Sequence, residues 1–284
     1  MFMKRAIVSI LVVITLVTGC SKSTDDLIKM LRSDSSRERT KAGVKLMGRH
    51  GDRDTVLKLI DILDDNDERV AFIALQVLGS LADTVAIEPL GKMIDHPEKE
   101  FRARVCYSLG SIGHEKALPY LIHGLGDETP EVRHSAVSAM GYLPHEKISE
   151  YTPHLYRMLR DDADSVRAAA VHSLYNYRNA EKSNVMAADI AIALNDPSDL
   201  VRYVAVQALG GGFQDSTVAG DLLIESLNDQ NKFVRLESII SLQKIRYREA
   251  VPKLKEMYDT ATVDEEFAIS ESIMAITNET FPPY

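Results

Sequence analysis

Two His-Glu dipeptides, His114-Glu115 and His145-Glu146, stand 31 residues apart. Imidazole nitrogen and carboxylate oxygen both ligate first-row transition metals, so the pair is a candidate metal site. The spacing argues against it. Places one repeat apart fall in successive layers of a stack, and only long side chains could share one ion across a layer. His134 lies on a helical stretch where a further ligand could sit, but Ser135 follows it. Both dipeptides therefore read as solvated loop residues, with no metal and no cofactor expected. Other chemistry leaves no pattern. The chain lacks a G-x-S-x-G turn, zinc-type cysteine spacing, a haem-attachment motif and a phosphate-cradling glycine loop. No catalytic residue is expected, and the reading is of a protein that is not an enzyme.

The elements that carry these residues repeat. With Val132 as position zero, position nine is Gly141, and equivalent places hold Gly48, Gly79, Gly110, Tyr175, Gly210 and Gln243, at intervals of 31 to 35 residues. A period of this size marks a stacked array of supersecondary units. Position four holds Gly43, Ala74, Val105, Ala136, Ala170, Ala205 and Ser238; position five Val44, Leu75, Cys106, Val137, Val171, Val206 and Ile239; position eight Met47, Leu78, Leu109, Met140, Leu174, Leu209 and Leu242. Offsets 0, 4, 5 and 8 share one face of a helix. Each copy is an inner helix whose apolar face needs the next copy. An outer helix precedes it, with Pro89, Pro119, Pro153 and Pro252 near four of the starts. Thr24 is placed to cap the opening helix.

The pattern Asp-x4-Val-Arg-x2-Ala-x2-Ala-Leu-Gly, with proline in the preceding helix, resembles the HEAT repeat, in the short form of the phycobilin lyases. The resemblance covers about residues 25–277 and implies an all-α fold: a right-handed α-solenoid, or α/α superhelix, of seven to eight two-helix repeats. The expected domain boundaries are a solenoid over 24–277 and a tail over 278–284. His-Glu dipeptides also resemble the iron ligands of deoxyhypusine hydroxylase, a HEAT-repeat enzyme, but that family has four copies within helices and this chain has two, in loops. The array as a whole leaves two enzyme alternatives: a phycobilin-lyase-like lyase, or an iron-dependent oxidoreductase.

The first residues are a separate object. Lys4 and Arg5 precede an apolar run from Ala6 to Val17, and Val17-Thr18-Gly19-Cys20 resembles a bacterial lipobox. A lipoprotein signal over 1–19 is expected, with Cys20 lipidated, a short linker to residue 23, and a bilayer anchor through the acyl chains. Ser21 in place of Asp favours the periplasmic side of the outer membrane over the inner membrane. Removing Lys4 and Arg5 would take the net charge from −9 to −11. An acidic chain without a basic block is a poor nucleic-acid binder, so no nucleic-acid partner is expected. The second cysteine, Cys106, falls in an apolar column and reads as buried and inert.

Arg stands at position one in five units (Arg102, Arg133, Arg167, Arg202, Arg235), and Asp five before position zero (Asp65, Asp127, Asp161, Asp196, Asp229). A structural ladder between neighbouring units is expected. Positions two, six and ten face away from the core and should line the concave side. They include Phe72, Gln76, Tyr107, His134, Tyr142, His172, Tyr203 and Gln207. Tyrosines and amides with few charges suit an adaptable protein contact. The expected function is a membrane-anchored, non-enzymatic scaffold of the bacterial envelope that binds an extracytoplasmic protein or peptide there.

Overall fold

The computed structural model describes residues 22–178, 187–213 and 216–282. Cys20 and the whole expected signal segment lie outside the described residues. Among those residues there are sixteen α-helices and no strand, in agreement with the expected all-α solenoid of two-helix repeats. The chain divides into two compact units, residues 1–86 and 87–284.

In the first unit α1 (Thr24–Leu31) pairs with α2 (Ser36–Met47), and α3 (Arg53–Ile60) with α4 (Glu68–Leu81). The second unit holds α5 (Ile87–Gly91) with α6 (Lys99–Ile112), α7 (Leu118–Gly124) with α8 (Pro130–Met140), and α9 (Ile148–Met158) with α10 (Asp164–Asn176). It continues with α11 (Ala187–Ile190) and α12 (Asp199–Gly210), α13 (Ser216–Ser226) and α14 (Lys232–Lys244), and α15 (Val251–Tyr258) and α16 (Val263–Thr277). In the second unit the inner helices α6, α8, α10, α12, α14 and α16 pack in sequence, each on the next. No helix among the described residues is long and apolar enough to cross a membrane.

Close approach between inner helices depends on small residues. A Cβ on Gly110 would lie 2.6 Å from Cβ of Ala139, and one on Gly141 would lie 2.8 Å from Oγ of Ser173. Position nine of one helix thus meets position seven of the next. Positions four, five and eight form the core: Val105, Cys106, Leu109, Ala136, Val137, Met140 and their equivalents outside α2 are fully buried. Burial pushes the Cys106 thiol up to about 12, as suits an inert packing residue.

The Arg–Asp ladder takes a definite form. Arg102 Nε donates to Asp127 at 2.6 Å, Arg133 to Asp161 at 2.8 Å, Arg167 to Asp196 at 2.7 Å and Arg202 to Asp229 at 2.7 Å. Each guanidinium also turns back to its own loop, as when Arg102 Nη1 donates to the carbonyls of His96 and Pro97, both at 2.9 Å. Each aspartate also accepts a backbone N–H two residues on, from Thr129 at 2.8 Å for Asp127 and from Asn231 at 2.7 Å for Asp229. That is the local turn chemistry that makes Asp the residue of choice there. The ladder ends differently, since Arg235 donates to Glu265 at 2.7 Å. Asp65 serves Arg32, which is not one of the five.

Three local expectations need correction. Ser23, not Thr24, caps α1, in a reciprocal box with Asp26. Thr24 is buried and shares a 2.8 Å hydrogen bond with Thr55. In α2 the register is one residue earlier than the glycine spacing implies: Ala42, Gly43 and Leu46 are buried, while Val44 is 63% exposed. The degenerate first unit follows its apolar residues, not its glycine. Pro153 lies inside α9, and Pro119 and Pro252 stand near helix starts as expected.

Candidate functional site

A groove runs along the second unit over α6, α8, α10 and α12. Its first lobe is a cavity of about 610 Å³ lined by Tyr107, Gly110, Ser111, His134, Ser138 and Tyr142, among others. A second lobe of about 400 Å³ shares His134, Ser138 and Tyr142 with the first and adds His172, Leu200, Val204 and Gln207. A third hollow carries on from His172 and Gln207 to Tyr175 and Lys244. The shared residues come from α8 and the turn after it, so that helix forms a saddle between the two main lobes.

The elements fix these positions in a simple way. Pro130 opens α8 at its first residue after an extended Thr129, which suits a residue without an N–H. Val132, Ala136, Val137 and Met140 hold one face in the core. His134 and Ser138, four residues apart, are then carried to the other side. Tyr142 follows the helix end and is 64% exposed; Tyr107 on α6 is 60% exposed.

No Asp, Glu, Lys or Arg is among the lining residues of the two main lobes, although the chain carries a net charge of −9. His134, Tyr142 and His172 have no side-chain hydrogen bond within the described residues. Burial alone pulls the His134 imidazole below its ordinary value, so it is neutral at pH 7. Arg104 lies over the Tyr107 ring at 5.3 Å. The site therefore offers two aromatic faces and two imidazoles without internal partners, on an uncharged floor.

Tyr107, His134, Tyr142, His172 and Gln207, five of the residues singled out by helical position, meet in this groove. Tyr203 is half-buried, and its hydroxyl donates to Glu237 at 3.1 Å while accepting from Gln207 at 3.4 Å. Phe72 and Gln76 are half-buried on α4 of the first unit and do not line the groove. Two residues were missed by sequence reasoning: Glu237, 8% exposed, and Lys244, which donates to it at 3.2 Å. The available signal was a lone acid at position three, where Ala169 and Val204 stand in the two preceding units.

The His-Glu dipeptides lie apart from this lining and are otherwise engaged. His114 Nδ1 accepts the Lys116 backbone N–H at 3.1 Å, and Glu115 pairs with Lys147 at 3.0 Å. His145 packs edge-on against Tyr177, 5.3 Å between centroids. Each dipeptide opens a 3₁₀ turn leading into an outer helix, Glu115–Ala117 or His145–Lys147. Among the described residues no three His, Cys, Asp or Glu side chains come together in a set that could hold a metal ion. The residues present do not fit an iron centre.

Comparison with known proteins places this geometry among relatives. A family profile described as HEAT repeats matches residues 24–98, 87–175 and 187–273. A deoxyhypusine hydroxylase of Candida albicans is 30% identical over 133 residues, 45% of this chain and 41% of that protein. Phycocyanobilin lyase subunit beta of Thermosynechococcus vestitus is 32% identical over 126 residues, 44% of this chain and 59% of that protein. The chain thus spans about half the length of the curated relatives it matches. The X-ray structure of Escherichia coli YibA superposes with a TM-score of 0.54 at 18% identity, over 87% of this chain and 99% of that one, a likeness of fold. The names of the curated relatives overturn the expected non-enzymatic protein-binding scaffold and the expectation that the protein is not an enzyme. The physical reason is that an aromatic, uncharged concave lining suits a flat small molecule as well as a peptide, and sequence alone did not separate the two.

Proposed function

The chain belongs to the HEAT-repeat family, and from that premise we propose that it is an enzyme, or a subunit that completes one, acting on an extended conjugated small molecule held in the groove of the second unit. The observation that carries this reading is the two-lobed groove itself: aromatic faces at Tyr107 and Tyr142, and imidazoles at His134 and His172 without internal partners. Stacking on the tyrosines would hold a flat ligand. His134, neutral, would exchange a proton with a ligand nitrogen or carboxyl group. Lys244, at the far hollow, would face an anionic end. Of the two enzyme classes among the relatives, the lining supports the lyase-like one, because its donors do not make an iron site.

Phycocyanobilin is the natural probe. Titrated into the purified protein and followed by visible absorption, it is expected to bind saturably, about tenfold more weakly to the Tyr107→Ala, Tyr142→Ala double variant. Absence of saturable binding refutes the reading. Stoichiometric iron, lost in His114→Ala with His145→Ala, would replace it with the hydroxylase-like class. We also propose that Cys20 is acylated and tethers the protein to a bacterial membrane, on the periplasmic side of the outer membrane. Palmitate labelling abolished by Cys20→Ser is the expected result, and labelling that persists in that variant excludes it.

A further inference from the structure

Helices α2 and α16 are the first and last inner helices among the described residues, and their exposed faces are complementary. On α2, Arg37, Lys41 and Lys45 recur every four residues, so they form one stripe. All three are exposed and take no hydrogen bond or ion pair within the described residues. Exposed Val44 adjoins the stripe. The other charged groups of α2 are engaged locally: Arg39 donates to the Ser33 carbonyl at 2.7 Å, and Glu38 accepts from Ser33 at 2.6 Å.

On α16 the signs reverse. The helix carries Asp264, Glu265, Glu266 and Glu271 and no Lys or Arg. Asp264 and Glu265 are paired with Lys232 and Arg235. Glu266 and Glu271 have no side-chain partner within the described residues, beside Val263 at 79% exposure, Phe267 at 70% and exposed Met274.

Met274 and Phe267 hold positions through which inner helices meet, Phe267 at position two like Tyr203, whose hydroxyl reaches Glu237 on the next inner helix at 3.1 Å, while Glu271, at position six, lies on the adjoining concave side. The Ser272 hydroxyl donates to the Ile239 carbonyl of α14, as Ser241 does to Val206 and Ser173 to Val137, so Ser272 is position seven of α16. Position nine, which presents glycine to the next helix at Gly110, Gly141 and Gly210, is therefore Met274. In the corrected register of α2, position seven is Lys45 and position three is Lys41. The face that receives a preceding helix is cationic; the face that meets a following helix is apolar and acidic.

We propose that two copies of this chain associate head to tail, the α2 stripe of one copy lying on the α16 face of another. The lysine and arginine stems would cover Phe267 and Met274 while their charged heads meet Glu266 and Glu271. An interface that repeats one patch against a different patch is heterologous and adds copies in one direction.

The test uses full-length chains with two different short tags, co-expressed and captured through one tag in mild detergent. The wild-type pair is expected to co-capture at low salt and to lose about tenfold at high salt, where exposed charge attraction is screened. Lys41→Ala with Lys45→Ala in both copies, or Phe267→Lys in both, is expected to lower co-capture about tenfold, with helical circular dichroism unchanged. When one copy has the lysine changes and the other has Phe267→Lys, one intact head still faces one intact tail, so co-capture is retained. Absence of wild-type co-capture overturns the proposal, as does failure of the mixed pair when both variants are folded. It is also overturned if the lysine changes abolish binding to anionic phosphatidylglycerol vesicles and leave co-capture intact, because the stripe would then be a membrane contact.

Discussion

Gly110→Ala inverts the usual effect of that substitution in a helix. Alanine replaces glycine in a helix interior with a gain of about 0.5–1 kcal/mol. Here the new methyl would stand 2.6 Å from Cβ and 2.7 Å from Cα of Ala139. Carbon atoms in contact sit about 3.5–4.0 Å apart, so α6 and α8 must part by about 1 Å. The backbone Cα cannot rotate away, and overpacking of this kind costs about 1–3 kcal/mol. The net expectation is a loss of about 0.5–2 kcal/mol. That corresponds to a fall in the thermal midpoint of about 1–8 °C. Gly48 supplies the control. It ends α2 with φ −73°, and the nearest atom to an added Cβ is the Lys45 carbonyl oxygen at 3.6 Å. Gly48→Ala should stabilise by about 0.4–1 kcal/mol. Thermal unfolding by far-ultraviolet circular dichroism checks both. A higher midpoint for Gly110→Ala would refute the claim that position nine is small because the next helix sits against it.

Arg133→Met leaves Asp161 buried without its guanidinium, and a cost of about 3–5 kcal/mol in urea unfolding is expected. Burial pushes the carboxyls of Asp127, Asp161, Asp196 and Asp229 up, but arginine and backbone N–H donors outweigh it and hold them below the ordinary value. Their contribution is therefore present above the unfolded value of about 3.9 and lost as pH falls through the lower folded values, so the urea midpoint should be flat from about pH 7 to 5 and drop below about pH 4. Cys106 should resist a thiol reagent in the folded protein and react fully in denaturant; rapid labelling of the native protein would contradict its place in the core. The His134 ring should titrate below free histidine by nuclear magnetic resonance, and a midpoint at or above the ordinary value would show that the groove does not desolvate it.

Periodicity carried most of the fold. The apolar columns at positions four, five and eight, and the Arg–Asp pairing, are repeated often enough that one irregular unit does not hide them. They failed at α2, where the glycine at position nine pointed to one register and the buried residues adopt another, because Leu46 and Ala42 contribute more by burial than Gly48 does by spacing. The groove was legible in part for the same reason. Tyr107, His134 and Tyr142 follow from helical position alone. Tyr203 did not, since its hydroxyl is committed to Glu237 on the next inner helix, a contact between residues 34 positions apart. The purpose of the groove was not legible: residue types on a concave face state its polarity and breadth, and several kinds of ligand share both.

The Arg–Asp ladder has a consequence for how such a chain can change in length. Every rung is directional, since the guanidinium of one repeat satisfies its own loop carbonyls and then the aspartate of its successor. Duplication or excision of a whole repeat between Arg102 and Asp229 would leave each rung with a mate, and no ion stranded. Among the rungs from Arg102 to Arg235 the last is bespoke, because Glu265 already closes the capping box of α16 with Thr262 and so ends the series from inside a helix. New repeats can thus be added between Arg102 and that last rung without disturbing it, whereas replacing Glu265 would leave Arg235 without its carboxylate.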